Sequence, residues 1–327
     1  MNRRSRFLLR RGAFALLAAW AVLTVAFAVL ELTPDPNLSL AVWLASVGRG
    51  GPTPEEARHA YIAAHGGFGS PLTRYLQYLQ NVVTLQWGTS YESNRLVTTV
   101  LLERIRVTAL YLVPALVASS LAGVAYGAYS SIRRGGLADR LGAAATYVGF
   151  GVPNVFLAVA LPVVLVEWHL VGGGITPPRS VSAYEHVTVP LLEKLVFPAF
   201  IVCTTLLAGI AHYTRSEATD RLGEEYVKLV RAKGANTRRV LRHVLRNAAL
   251  PLVALTYSEF LAVVAFHVFV VENALSLPGI GHLLNSAIRR RDTPVVMGVT
   301  LVIVLAGIVG NFVQDALSAA FDPRLRD

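Results

Sequence analysis

Hydrophobic and polar positions fall in long blocks along this chain, not in the short alternation of strands. Six apolar runs stand out: Ala13–Leu30, Thr108–Tyr129, Leu141–Val166, Leu195–Tyr213, Ala248–Val271 and Val295–Ala320. Each reaches or approaches the roughly 20 residues that carry a helix across a bilayer. The first follows Arg3, Arg4, Arg6, Arg10 and Arg11 and holds no charge. A signal peptide also begins with positive charge, but its apolar core is shorter, about 7–15 residues, so the run predicts a first span. The second carries Gly123-x-x-x-Gly127, a face on which a neighbouring helix can pack closely. The third is interrupted by Gly149, Gly151, Pro153, Asn154 and Pro162, and reads either as a kinked helix or as a helix lining a water-filled cavity.

The polar stretches between these runs have patterns of their own. Glu31–Val107 contains Thr53-Pro54-Glu55-Glu56, a capping box with proline at the first helical position, and Gly66-Gly67 to stop that helix. Ser70-Pro71 opens another helix with Leu72, Tyr75, Leu76, Leu79, Val82 and Val83, and Trp87-Gly88-Thr89-Ser90-Tyr91 breaks it. The segment predicts a small folded cap. Glu167–Lys194 is a loop with Gly172-Gly173-Gly174 and Pro177-Pro178, and Glu272–Pro294 is a third.

The fourth polar stretch, Arg215–Pro251, is strongly basic. Leu222, Tyr226, Leu229 and Val230 make one helical stripe, and Val240, Leu241, Val244, Leu245 and Ala248 make a second. Gly234 lies between them and suits a left-handed C-terminal cap, where a Cβ is penalised. The spacing predicts a helical hairpin with Lys228, Arg231 and Lys233 crowding the end of its first helix. The plain alternative is a positive loop that only fixes topology.

Composition agrees with a membrane protein. Of 327 residues, 54% are hydrophobic and 15% charged, with a mean hydropathy of +0.51; soluble proteins carry roughly 25% charged residues. A net charge of +10 alone suggests nucleic acid, but the apolar runs exclude that partner and point to membrane lipid. Six spans put both termini on one side. That side, with Ser130–Arg140 and Thr214–Asn247, holds nineteen of the thirty lysines and arginines, which predicts that the termini and the hairpin are cytoplasmic in the cell membrane. The expected fold is an all-α polytopic membrane protein. Residues 1–30 form the N-terminus and first span, 31–107 an extracytoplasmic loop, and 108–327 a five-span core with the hairpin at 214–251.

Little in the chain looks like an enzyme. No Gly-Lys pair occurs, so no phosphate-binding P-loop can form, and no His-Glu-x-x-His or Gly-x-Ser-x-Gly is present. His59 and His65 lack a third ligand, and Cys203 stands alone, so no metal site is expected. Glu259 and His267 fall inside the fifth apolar run. An acid there could neutralise a substrate amine, carry a proton, or pair with a neighbouring subunit. Asn154, Glu259 and His267 are the candidates to line a pathway.

Glu224–Pro251, EEYVKLVRAKGANTRRVLRHVLRNAALP, resembles the cytoplasmic coupling loop of permease subunits of ABC importers, in the dipeptide, oligopeptide and nickel branch. The family pattern is E-A-A-x-x-x-G with a later L-P; here Lys228 stands where the glutamate is usual. Val271–Gly298 is similar to the branch's E-x-x-F-S-L-P-G-L-G…R-D-Y-P segment, with Ala274, Leu275 and Thr293 in place of the usual aromatics. Trp87–Tyr91, Leu101–Leu112, Asp139–Phe156 and Asp322-Pro323-Arg324 fit the same family, so the resemblance spans nearly the whole chain.

The resemblance implies a permease that hydrolyses nothing itself and carries no cofactor, ATP and Mg residing on the partner ATPases. Its implied partners are a second homologous permease, two ABC ATPase subunits and an extracytoplasmic solute-binding protein. Tyr226, Val230 and Ala232 would give the ATPase apolar contact, with Arg231, Lys233 and Gly234 at the tip. Leu277, Pro278, Gly279, Gly281 and Asp292 would form an outer gate loop facing the binding protein, with Arg289–Arg291 as a further basic face. Peptides are the implied cargo; nickel or an oligosaccharide fits the same architecture. A proton-coupled transporter using Glu259 or His267 is the alternative of another class, although no inverted repeat is visible.

Overall fold

The computed structural model describes residues 3–32, 36–48, 51–64, 70–133, 135–167 and 177–321. His65, the Gly66-Gly67 stop, Arg134, the Gly172–Gly174 run and Asp322-Pro323-Arg324 lie outside these residues. Among the described residues the chain is helical, and the isolated bridge Thr89–Leu96 is the extent of its β pairing.

α1 (Arg3–Leu32) is the first apolar run together with its arginines. The segment that follows folds as three helices, α2 (Pro36–Val47), α3 (Pro54–Ala64) and α4 (Pro71–Val83). The capping box at α3 forms as its sequence dictates. Thr53 N–H donates to the Glu56 carboxylate at 2.8 Å, and Glu56 N–H donates to Thr53 Oγ1 at 3.3 Å. Donation from Thr53, its backbone N–H first, holds the Glu56 carboxyl below its ordinary range. Ser70 caps α4 through Thr73 N–H, and α4 leans on α1, where Phe27 packs edge-on against Tyr75.

The core is α5 (Val97–Ile132) against α8 (Val189–Leu222). Gly123 and Gly127 make that approach possible. A Cβ on Gly123 would sit 2.9 Å from the Ile210 side chain, and one on Gly127 would sit 2.5 Å from the Ala211 carbonyl oxygen. The small-residue face predicted in the second span is therefore the seam of the molecule.

Between these helices the third apolar run is not one helix. α6 (Leu137–Gly151) and α7 (Asn154–Glu167) meet at 102° across Val152-Pro153. Proline denies the helix a donor and restricts the residue before it, which breaks the run there.

After α8 comes the short α9 (Glu225–Ala232), then α10 (Thr237–Ala262). The boundary expected at Ala248 is absent, because α10 runs from the basic stretch into the apolar one with Pro251 inside it. A π turn, Val263–His267, joins α10 to α11 (Val268–Leu275). Glu272–Pro294, expected as a loop, is largely α12 (Ile280–Arg290) between the ends of α11 and α13 (Thr293–Phe321).

Four of these helices are long and apolar enough to cross a bilayer: those over Arg6–Val29, Val97–Ile132, Val189–Leu222 and Thr293–Ala316. Counting the bent α6–α7 pair as one span gives five. The run Ala248–Val271 is shared among α10, the π turn and α11, and α10 begins with the charges of the basic stretch. It therefore does not stand as a single apolar helix. Near the two ends of the chain, Arg11 of α1 pairs with Asp315 of α13 at 3.4 Å, so the start of α1 and the end of α13 lie together.

Candidate functional site

Three buried carboxylates organise the ends of this bundle. The most enclosed is Glu272 on α11, with no exposed surface. Thr108 Oγ1 and Tyr111 O–H of α5 donate to its Oε1 at 2.6 and 3.0 Å. The backbone N–H groups of Gly281 and His282, in the first turn of α12, donate to its Oε2 at 2.7 and 3.2 Å. The first turn of a helix has free N–H groups and a partial positive charge, so a carboxylate there is well placed.

The loop between α11 and α12 is shaped by that carboxylate. A Cβ on Gly279 would fall 2.1 Å from Glu272 Oε1, and one on Gly281 would fall 2.6 Å from the Phe269 backbone. Both glycines are therefore required by close approach. Ile280 N–H donates to Thr108 Oγ1 at 3.0 Å, and Arg104 Nη1 donates to the Pro278 carbonyl at 3.0 Å. Leu277 is fully buried beneath. The Leu277-Pro278-Gly279-Ile280-Gly281 turn is thus fastened to α5 by two hydrogen bonds.

Asp292, at the junction of α12 and α13, is the second. It accepts from Ser90 Oγ at 2.6 Å and from the N–H groups of Tyr91 and Glu92 at 3.2 and 3.3 Å. The Trp87–Tyr91 break and the Arg-Asp-Thr-Pro segment therefore meet in one turn, some 200 residues apart in sequence. Asp139, at the start of α6, is the third. It accepts from Ser130 Oγ, from Gly135 N–H at 3.0 Å and from Arg215 Nη2 at 2.9 Å, tying the α5–α6 turn to the lower part of α8.

The hairpin forms a small separate core. Val227 of α9 is buried with Ala218 of α8 and Val240 and Val244 of α10, and Leu222, Tyr226, Val230 and Ala235 pack around them. α9 ends at Lys233, and Gly234 follows with φ +77°. Asn236 then caps α10 by accepting from Arg239 N–H at 3.0 Å. Nothing lies within 4 Å of where a Gly234 side chain would project. The result is a protruding knuckle braced by two helices, on the same end of the chain's path as the Asp139–Arg215 pair.

The described residues thus combine a braced helical hairpin, a glycine-forced turn and four or five apolar spans. Residues 115–327 match the family described as binding-protein-dependent transport system inner membrane component. The chain belongs to that family. Among relatives of this permease, the oligopeptide transport system permease protein AppB of Bacillus subtilis is 27% identical over 325 residues, covering 98% of each chain. A putative peptide permease of Brucella ovis is 31% identical over 336 residues, covering 98% of this chain and 99% of that one. The dipeptide transport system permease protein DppB of Escherichia coli is 28% identical over 343 residues, 98% of each. The resemblance read from the hairpin and outer segment is therefore a family membership: an ABC importer permease of the cell membrane, crossing it several times.

The expected site residues fall in separate places on the permease. Arg231, Ala232, Lys233 and Gly234 are exposed on the knuckle. Tyr226 and Val230, expected to offer apolar contact to the ATPase, are half-buried and pack on the hairpin's own core, and the exposed large apolar residue of α9 is Leu229, 58% exposed. The stripe rule grouped Leu229 with its neighbours, but at the edge of so short a helix it turns away. Leu277, Pro278, Gly279, Gly281 and Asp292 gather at the α11–α12–α13 end, where Asp292 and the two glycines are buried structural groups. Asn154 is buried at the start of α7 and accepts from Thr205 Oγ1 at 2.6 Å. Glu259 is half-buried on α10 beside Gly209, and His267 closes the π turn. Sequence reasoning missed Glu272 and Asp139. Glu272 sat at the edge of an apolar run and read as a loop charge, although it opens the E-x-x-x-S-L-P-G segment that carried the resemblance.

Proposed function

We propose that this chain is one of two permease subunits of an ATP-driven, binding-protein-dependent importer of di- and oligopeptides. It would cross the membrane six times, with α10, the π turn and α11 supplying the span that falls short by composition, and with both termini cytoplasmic. The knuckle at α9–Gly234 is the observation that carries this reading. It exposes Leu229, Arg231, Ala232, Lys233 and Gly234 on a braced turn, a form suited to insertion into a groove on an ATPase subunit. Tyr226 and Val230 hold α9 on its base, so that force applied at the tip reaches α10. The continuity of α10 through Pro251 makes the transmission direct, since no flexible joint separates the knuckle from the interior. The outer turn, held by Glu272 and Asp292, would meet the solute-binding protein. Peptide cargo is supported by relatives named as oligopeptide, dipeptide and putative peptide permeases.

The test is Gly234→Asp. Position 234 requires a left-handed backbone, which an L side chain adopts at a cost of about 1 kcal/mol, too little to unfold the protein. The variant should insert normally yet lose about tenfold or more of ATP-driven peptide uptake through misdocking, a deficit of roughly 1.4 kcal/mol or more. Normal uptake by G234D, or labelling that places Lys233 outside the cell, would remove the coupling role.

A further inference from the structure

Two polar groups inside the apolar part of the bundle have no partner that explains them. The Glu259 carboxylate, half-buried on α10, makes no hydrogen bond or ion pair among the described residues. It rests over Gly209 of α8, whose missing side chain leaves it room: a Cβ there would lie 3.2 Å from Oε1 and 3.3 Å from the carboxyl carbon. Asn154, at the start of α7, is nine-tenths buried, and its Nδ2 donor has no acceptor. Its Oδ1 is held by Thr205 Oγ1. Thr205 and Gly209 are four apart on α8, so they share one face, a single turn from each other. A carboxyl group and an idle amide donor therefore flank the same stripe of α8.

An ionised carboxylate without a partner is expensive in an apolar setting and is retained there for a ligand, a pathway or a subunit contact. Glu272, Asp292 and Asp139 show how this chain treats a structural acid: each takes three or four donors. Glu259 takes none.

Resting on the importer reading above, we infer that Glu259 is a cargo-binding step of the translocation path, taking the α-ammonium of a peptide in transit. The Asn154 amide, whose partner Thr205 stands one turn from Gly209 on α8, is matched in polarity to the peptide's first carbonyl. The pairing is chemically specific. A carboxylate beside a lone amide donor recognises a primary ammonium followed by a carbonyl, which is the start of any peptide with a free N-terminus. The alternating-access cycle needs such a site to be satisfied only in passing, which agrees with one strong partner and not four.

The experiment uses the complete transporter, this permease with its partner permease, ATPases and binding protein, reconstituted in vesicles with tri-alanine as cargo. In Glu259→Gln the maximal uptake rate should fall about tenfold or more, as expected for loss of one charged hydrogen bond. The half-saturating tri-alanine concentration should stay unchanged, because the binding protein captures the peptide first. Glu259→Asp should recover a large part of the rate. Gly209→Ala keeps the carboxylate and favours the helix, but crowds Oε1, and should fall between wild type and E259Q. Co-purification of the partner subunits with E259Q should match wild type. An E259Q complex that transports tri-alanine at the wild-type rate overturns the inference. So does one that loses its partner subunits, since the carboxylate would then be an inter-subunit group. If the wild-type complex moves no tri-alanine at all, the peptide reading fails instead, and the two failures are distinct.

Discussion

Glu272 shows how much one side chain can hold. Replacing it with alanine strands two hydroxyl donors and two backbone N–H groups inside the protein, at about 1–3 kcal/mol for each group left unsatisfied. Glu272→Ala should therefore destabilise the permease by 3 kcal/mol or more in order of magnitude, or prevent its accumulation. Glu272→Gln keeps the shape and should cost less. The pH dependence has a definite sign at His282, on α12: burial and the nearby Arg104 charge depress its pKa, so acidification through its ordinary range costs stability. Thermal unfolding in detergent at pH 8 and pH 5 checks this, and the loss on going to pH 5 should be larger for wild type than for His282→Gln. Asp292→Ala should likewise loosen the turn at Ser90–Glu92, read as faster proteolysis there with little change elsewhere. Neither acid could be ranked from sequence, because burial depends on what α5 and the 87–92 turn bring from far along the chain. Gly279 and Gly281 were legible as a turn but not as a fit around a carboxylate.

At the scale of elements, the packing of α5 on α8 depends on two missing side chains. Gly127→Leu puts a branched group where even a Cβ would meet the Ala211 carbonyl oxygen at 2.5 Å. Overpacking of this kind costs about 1–3 kcal/mol, and here the seam itself must open. The expected outcome is a clear fall in the unfolding temperature of purified protein, larger than for Gly151→Ala, where nothing lies within 4 Å. The Gly-x-x-x-Gly spacing announced this contact plainly, as the capping box announced α3 and Gly234 announced the end of α9. What periodicity did not announce was where helices run on. α10 crosses from basic to apolar sequence without a break, because proline mid-helix only removes one donor and neighbours can absorb the bend. Nor did it foresee the 102° turn at Val152-Pro153, since a glycine- and proline-rich apolar run is compatible with a mild kink or a full reversal. The direction of Tyr226 and Val230 was set by Ala218, Val240 and Val244, contacts across three helices that a stripe on one helix cannot reveal.

Across the whole molecule, the acids divide the bundle into two fastened ends, Glu272 and Asp292 at one and Asp139 with Arg215 at the other. Asp139→Asn weakens its charge-assisted bond to Arg215 while leaving the Glu272–Asp292 end intact. On the proposed importer reading it should reduce the coupling of ATP hydrolysis to uptake without lowering retention of the binding protein, two readouts available from the same vesicles. The run from Thr237 to Leu275 joins both ends, and at about 1.5 Å per residue it is on the order of 58 Å long. Besides Pro251, that rod is interrupted at the π turn, Val263–His267. A π turn houses one more residue than a regular turn, and each helical residue rotates the chain by about 100°. The turn therefore takes in one extra residue without advancing the rotation of the helix, and the bearing it leaves beyond it is the one on which Glu272 meets α5. The same residues wound as a regular helix would carry the carboxylate about a quarter turn away from those donors, and unlatch that end of the protein without altering any residue that touches it.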